Sequence, residues 1–259
     1  MEPRKFGVTL RRDAWWLPNI FIVTILGGFL VYATWAAFQN ANYTFGPYLS
    51  PFYAPEIWGD SPHAWFGPKP LWWPGWLPFS PALLILPIPA SFRFTCYYYR
   101  GSYYKAFWAD PPGCSVGEPK RDYLGEKSFP LVLQNFHRYG LLLAFIFLFF
   151  LWYDVWKALW FANTTGGVSF GVGVGSLVML TNVVLLTGYT LGCHSMRHIV
   201  GGLMDRLSGA PIRKAMYDVS TACNKSHMGW AWTSLFSVAL TDAYIRLCAT
   251  GVITDLRLF

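Results

Sequence analysis

The side chains best suited to chemistry are histidines at the ends of long apolar segments. They are His137, His194, His198 and His227, and Cys193 and Cys223 lie beside two of them in sequence. His194 and His198 are four residues apart, so in a helix their imidazoles share one face. Imidazoles and thiolates bind transition metals, and polar side chains at membrane depth are rare without a function. These residues therefore predict a metal or redox centre.

The elements that position these side chains are predicted to be membrane helices. The 259 residues are 54% hydrophobic and 19% aromatic but only 13% charged, a mixture typical of a polytopic membrane protein. The net charge of +7 does not indicate nucleic-acid binding, because Lys and Arg are spread over loops beside apolar runs. Because the N-terminus is polar and the first apolar stretch is long, we expect that there is no cleavable signal peptide. The odd number of cysteines, five, argues against a disulfide framework.

Five segments contain the roughly 20 apolar residues that cross a bilayer. They are residues 14–39, 80–107, 130–161, 168–202 and 224–252. We therefore predict an all-α integral membrane fold, a bundle of five transmembrane helices in a single domain over residues 1–259. Residues 40–79, rich in Pro, Gly and Trp, are predicted to form an external cap between helices 1 and 2. Prolines near residue 81 predict that the second helix begins with a kink.

The distribution of basic residues predicts the orientation. Sixteen of the twenty Lys and Arg residues lie in the N-terminal segment, between residues 93 and 138, or between residues 197 and 225. The positive-inside rule places these regions, and hence the N-terminus, in the cytoplasm. All four helical histidines then lie near the cytoplasmic face.

The residue types leave the nature of the centre open. A Rieske-type [2Fe–2S] cluster needs two thiolates on one iron and two imidazoles on the other, and this face offers both. A single haem with two histidine ligands is also possible, whereas two stacked haems are disfavoured because the external half has no helical histidine. Zinc would also accept these ligand types, but a structural zinc ion among membrane helices has no obvious purpose. Each histidine or cysteine alone is compatible with an ordinary structural role.

An acid and a base four residues apart interrupt the last apolar segment. Asp242 and Arg246 can form a buried ion pair that holds helices together. Alternatively, they can belong to a proton path or contact a quinone, because ionisable groups at membrane depth are often functional.

Several stretches together resemble the membrane subunit SdhC of the actinobacterial type of succinate dehydrogenase. They are RRDAWW from Arg11, the run from Ala33 to Glu56, FTCYYYRGSYYKAFW with PPGCSV after it, LQNFHRY from Leu133, and GCHSMRH from Gly192. The resemblance covers most of the chain. It implies a single five-helix anchor in the bacterial inner (plasma) membrane that links the tricarboxylic acid cycle to the respiratory chain.

The resemblance also implies partners and a cofactor. A flavoprotein subunit and an iron–sulfur subunit would dock on the cytoplasmic face, so that succinate is oxidised outside this chain. A Rieske-type [2Fe–2S] cluster within the membrane subunit would replace haem b. Carried over by position, the candidate ligands are Cys96, Cys114, Cys193, His137, His194, His198 and His227. The Cys-x-His pattern of soluble Rieske proteins is absent, so which four bind is left open, as is a higher oligomer of the complex.

The implied electron acceptor is a quinone held between helices. Candidate contacts on the last helix are Trp230, Asp242, Tyr244 and Arg246, and a second location near the inner surface is offered by Arg12 and Trp16. The alternatives are the same role with haem b, or a non-redox membrane scaffold or transporter. No internal repeat is visible, which disfavours a transporter built from inverted halves.

Overall fold

The computed structural model describes residues 5–119, 128–129, 131–163, 166–203 and 205–259. These residues are mainly helical, with two short antiparallel β-hairpins. The chain divides into two compact units, Met1–Tyr32 with Ala90–His137, and Ala33–Pro89 with Arg138–Phe259. One transmembrane domain over residues 1–259 stays a prediction.

In the first unit, the N-terminal segment pairs with the loop that contains Cys114. The amide of Gly7 donates to the carbonyl of Gly117 at 3.0 Å, and the amide of Gly117 donates to Val8 at 3.0 Å. A Cβ at Gly117 would lie 2.1 Å from the carbonyl oxygen of Lys5, so only glycine permits this approach. The loop is thereby held beside the residues that lead into helix α1 (Leu17–Gln39).

The predicted second helix, residues 80–107, is corrected to four short pieces. These are α2 (Pro81–Ile85), α3 (Pro87–Thr95), α4 (Tyr97–Ser102) and a π-helical turn (Tyr103–Phe107). Pro81 and Pro87 each start a piece, because proline is tolerated in the first turn of a helix but not in its interior. Cys96 has an extended backbone and separates α3 from α4.

The later part of the chain carries the longer helices. A 3₁₀ helix (Leu131–Phe136) leads into α5 (His137–Lys157), and the start predicted at residue 130 lies outside the described residues. The elements that follow are β3 (Trp160–Ala162), β4 (Val168–Phe170), α6 (Val174–Leu191), α7 (His194–Gly201), a 3₁₀ turn (Leu207–Gly209), α8 (Pro211–Lys225) and α9 (His227–Ala249). The predicted helix 168–202 is therefore a strand and two helices, and α8 lies where a loop was expected.

The core of the second unit forms where α6 packs against α9. Its buried side chains include Leu148, Val183 and Ile245. Tyr48 joins them from a hairpin of β1 (Thr44–Phe45) and β2 (Tyr48–Leu49), in which Phe45 pairs with Tyr48. This hairpin is the regular structure in residues 40–79, where a cap was predicted.

Three helical segments in the described ranges are long and apolar enough to cross a membrane. They are Leu17–Gln39, Leu131–Lys157 and Val174–Leu191. The broken segment at residues 80–107 is not among them, and neither is α9, which carries Asp242 and Arg246. Five spans and a cytoplasmic N-terminus stay predictions.

Candidate redox site

Two imidazoles meet on one face of α7. The Nε2 atoms of His194 and His198 lie 3.0 Å apart. Both side chains border a cavity of about 390 Å³ that is also lined by Arg197, Asp205 and Tyr217. Without a metal, one nitrogen must donate and the other accept. The separation also suits two ligands of one metal ion, since metal–nitrogen bonds of about 2.1 Å place neighbouring ligand atoms roughly 3.0–3.4 Å apart.

A break between α6 and α7 creates this arrangement. Cys193 is buried and has an extended backbone, so α6 ends before it and α7 starts at His194. Side chains of α8 satisfy the carbonyls left open at the end of α6. Ser220 Oγ donates to the carbonyl of Leu191 at 2.8 Å, and Asn224 Nδ2 donates to Gly192 at 2.7 Å. The break is thus stabilised by a neighbouring helix.

Helix α8 also fixes the charge beside the imidazoles. Arg197 Nη2 donates to Tyr217 OH at 3.0 Å, with its guanidinium 5.3 Å from the Tyr217 ring centroid. Arg213 donates to the carbonyls of Val200 (2.9 Å) and Gly202 (2.7 Å) at the end of α7. The fixed positive charge of Arg197 favours an anionic group in the cavity.

In the first unit, His137 is positioned by the end of α3. It is buried as the first residue of α5, and its Nδ1 lies 2.9 Å from Thr95 Oγ1. Its ring stacks on Phe92, with centroids 4.6 Å apart and planes within 3°. Thr95 immediately precedes the buried Cys96. Cys114 is exposed, and its carbonyl accepts from Arg11 Nη1 at 3.1 Å.

The remaining ligand candidate starts α9. The ring of His227 stacks on Tyr189, with centroids 5.1 Å apart. Among the described residues, no three His, Cys, Asp or Glu side chains converge closely enough to hold a metal ion. The described residues therefore bring two of the predicted imidazoles together and do not bring a predicted thiol close enough to complete a metal site. The seven-residue ligand set stays a prediction.

The ion pair predicted on the last helix is present and buried. Arg246 Nε donates to Asp242 Oδ2 at 2.8 Å, and Ser50 Oγ donates to Asp242 Oδ1. The other guanidinium nitrogens donate to the carbonyls of Ala41 (2.7 Å) and Ala36 (3.1 Å). Because both charged groups are bonded within the protein, this geometry supports the structural interpretation of the pair over a quinone contact.

The other quinone candidates differ in their surroundings. Tyr244 OH donates to Asp255 Oδ1 at 2.7 Å. Trp230 packs on Gly188, where an added Cβ would lie 2.8 Å from its indole ring, and its buried Nε1 has no hydrogen-bond partner among the described residues. Arg12 and Trp16 are exposed in the N-terminal segment. Their roles toward quinone stay predictions.

Sequence reasoning missed a buried polar cluster in residues 40–79. The carboxylate of Glu56 accepts from Tyr43 OH at 2.9 Å and from Ser61 Oγ. Nearby in sequence, His63 is 6% exposed, and its Nδ1 has no partner within the described part of the chain. Burial lowers the pKa of His63 to about 4, and the charge of Lys157 acts in the same direction. No spacing pattern in the sequence indicates this cluster.

Comparison with known proteins relates the whole chain to one family. The family model described as actinobacterial succinate dehydrogenase subunit SdhC matches residues 17–251. A solved chain from the structure described as the Mycobacterium smegmatis Sdh1 complex in the apo form is 38% identical. The match covers 100% of this chain and 98% of that one, with a TM-score of 0.86. No match was found among curated proteins.

Proposed function

This chain belongs to the family of the actinobacterial succinate dehydrogenase subunit SdhC, and on that premise we propose that it is the membrane anchor and electron-transfer subunit of a succinate:quinone oxidoreductase. The observation that carries the electron-transfer role is the His194–His198 pair. Its two nitrogens lie 3.0 Å apart on one helix face, a spacing compatible with two ligands of one metal ion.

The anchoring role follows from the apolar helices. Phe21 and Val31 on α1 and Phe149 on α5 are between 60% and 72% exposed, so a bilayer is needed to cover them. In the proposed complex, a flavoprotein subunit and an iron–sulfur subunit bind the basic cytoplasmic face in the bacterial inner membrane. Succinate is oxidised in those partners, and this chain delivers the electrons to quinone.

The proposed centre is a Rieske-type [2Fe–2S] cluster with His194 and His198 as its imidazole ligands. Its thiolates are proposed from Cys96, Cys114 and Cys193, and His137 and His227 are the remaining imidazole candidates. When bound, such a cluster carries single electrons at a potential raised by its imidazole ligands. Arg197, held by Tyr217, contributes a positive charge to the same cavity, which favours acceptance of an electron there.

The geometry of the histidine pair argues against haem b bound by these two residues. Axial imidazoles bind opposite faces of a porphyrin and therefore come from separate helices. His194 and His198 lie on one helix with their Nε2 atoms in contact. A haem would need one of them with a partner from another element.

The proposal is tested in the intact complex by His194→Ala and His198→Ala, with Ile199→Ala as the matched control. Ile199 lies on the same helix, is 57% exposed and carries no ligand atom. We expect both histidine variants to lose succinate-to-quinone activity while keeping succinate oxidation by an artificial dye. Ile199→Ala should retain both activities. Wild-type quinone turnover in both histidine variants would refute the redox role of this pair.

A further inference from the structure

An exposed apolar surface lies in the second unit, between the β1–β2 hairpin and α2. It is formed by residues 65–79, WFGPKPLWWPGWLPF, which we call the aromatic segment. Six of its fifteen residues are aromatic, and its single charged residue is Lys69. Its most exposed apolar side chains, each at least 63% exposed, are Phe66, Leu71, Trp72 and Trp76. Large apolar side chains clustered on a surface indicate that a partner covers them.

Ring contacts hold the aromatic segment in place. Trp58 packs on Phe66 and Trp72, with ring centroids 5.9 and 5.5 Å apart. Trp73 packs on Trp72 at 6.0 Å and on Phe79 at 5.3 Å. The prolines of the segment restrict its backbone further. The segment therefore has a defined conformation that displays its exposed side chains on one surface.

The depth of the aromatic segment follows from its contact with α5. Trp65 packs on Phe150 and Tyr153, with ring centroids 5.3 and 5.6 Å apart. Phe150 lies seven residues before Lys157, the last residue of α5, which is about 10 Å along the helix axis. Because α5 belongs to a segment long and apolar enough to cross a membrane, Trp65 contacts it on the membrane side of its end. Phe149 packs on Phe150 at 5.7 Å and is exposed, so the lipid that covers Phe149 also reaches Trp65.

Charge and composition favour lipid over protein as the covering partner. In the sequence, no Asp or Glu lies between Asp60 and Asp110, so the aromatic segment carries no anion that would repel a lipid phosphate. Lys69 is exposed, with its Nζ 6.0 Å from the ring centroid of Phe79. Tryptophan concentrates where headgroups meet acyl chains, and lysine at the same level is attracted to anionic lipid. The segment therefore has the composition of a membrane interface at the depth where such an interface lies.

We propose that the aromatic segment is inserted into the phospholipid leaflet at the Lys157 end of α5. Leu71 and Trp76 lie among the upper parts of the acyl chains, and Lys69 binds a lipid phosphate. Residues 65–79 are then an interfacial membrane element within the predicted external cap, and not a surface covered by water. The inference goes beyond the proposed electron-transfer role and depends only on α5 crossing the bilayer.

The test uses the intact wild-type complex in nanodiscs of phosphatidylcholine and phosphatidylglycerol. A phosphatidylcholine with an aryl diazirine near the carbonyl end of one acyl chain is included, and mass spectrometry locates the adducts after irradiation. We expect adducts on Leu71, Trp72 or Trp76, and on Phe149 as the positive control for lipid contact. Adducts on Phe149 with none in residues 65–79 would overturn the proposal. Cross-links between the aromatic segments of two complexes, in place of lipid adducts, would assign the surface to a second copy and also overturn it.

The lysine contact is tested with Lys69→Gln and, as the matched control, Lys214→Gln, which changes an exposed lysine on α8. With a photoreactive phosphatidylglycerol, adducts on the aromatic segment should fall about fivefold in Lys69→Gln, as expected for one lysine near an anionic lipid surface. They should stay at the wild-type level in Lys214→Gln. Equal labelling in the two variants would overturn the contact between Lys69 and phosphate. Because labelling needs no electron transfer, failure of this proposal leaves the proposed redox function intact.

Discussion

The Nε2 atoms of His194 and His198 lie 3.0 Å apart, and the residues are one helical turn apart on α7. Two side chains this close act as one unit, because a group bound between them needs both. The pair also lies on a separate short helix, α7, which begins at His194 after α6 has ended at Leu191. The chemistry of these imidazoles therefore depends on helix α8, which stabilises the break.

Replacing the two histidines together should have the same effect as replacing either one. If both bind one iron, His194→Ala alone already removes the centre, so the double variant adds no further loss. Iron and acid-labile sulfide per assembled complex should fall equally in the single and double variants. Separate partial losses that add in the double variant would show that the two residues act independently.

The Asp242–Arg246 pair is predicted to stabilise the fold and not to bind quinone. Asp242→Asn leaves the Arg246 charge buried without its partner, which is expected to cost about 3–5 kcal/mol. The unfolding temperature of the complex should fall, while the KM for quinone in the surviving complex stays near wild type. Asp218→Asn is the matched control, because the Lys214–Asp218 pair is more than half exposed and contributes about 1 kcal/mol or less. A raised KM without loss of stability in Asp242→Asn would contradict the structural role.

His63 should make the protein less stable in acid. Its pKa is about 4 in the folded protein against 6.5 in its ordinary state, so the unfolded chain takes up the proton first as pH falls. The contribution of neutral His63 is complete above pH 6.5 and is lost between pH 6.5 and about 4. Thermal unfolding at pH 5 and pH 7.5 should show a smaller difference in His63→Gln than in wild type. Equal differences would contradict the burial of a neutral imidazole.

Two helical glycines should respond in opposite directions to alanine. At Gly188 a Cβ would lie 2.8 Å from the Trp230 ring, so Gly188→Ala should displace that indole and destabilise the complex by about 1–3 kcal/mol. At Gly229 nothing lies within 4 Å, and Gly229→Ala should stabilise the helix by roughly 0.5–1 kcal/mol. Unfolding temperatures compare the two variants. Destabilisation of similar size at both positions would show that the Trp230 contact is not the cause.

The long apolar helices could be predicted from the length of their apolar runs, and the histidine pair from its i, i+4 spacing. The first segment, predicted at 14–39, is observed at Leu17–Gln39. The i, i+4 spacing of His194 and His198 placed their imidazoles together in any helix that contains both. The helix break before them is stabilised by Ser220 and Asn224, which are distant in sequence. Local hydropathy therefore could not predict this break.

Helix α8 and the breaks in segment 80–107 were missed for different reasons. The polar composition of Pro211–Lys225 suggested a loop, although Pro211 at the first helical position was a usable start signal. Segment 80–107 was predicted as one helix with a kink at its start, whereas Pro87 begins a separate helical piece and Cys96 ends it.

Pulsed electron paramagnetic resonance on the reduced, intact complex tests the central claim most directly. The account predicts an iron–sulfur signal with an average g value below that of the free electron, coupled to two imidazole nitrogens. The signal should persist in Ile199→Ala and disappear in His198→Ala. Haem bands in the visible spectrum together with no nitrogen-coupled cluster signal would contradict the account. The absence of iron and acid-labile sulfide from this chain would contradict it as well.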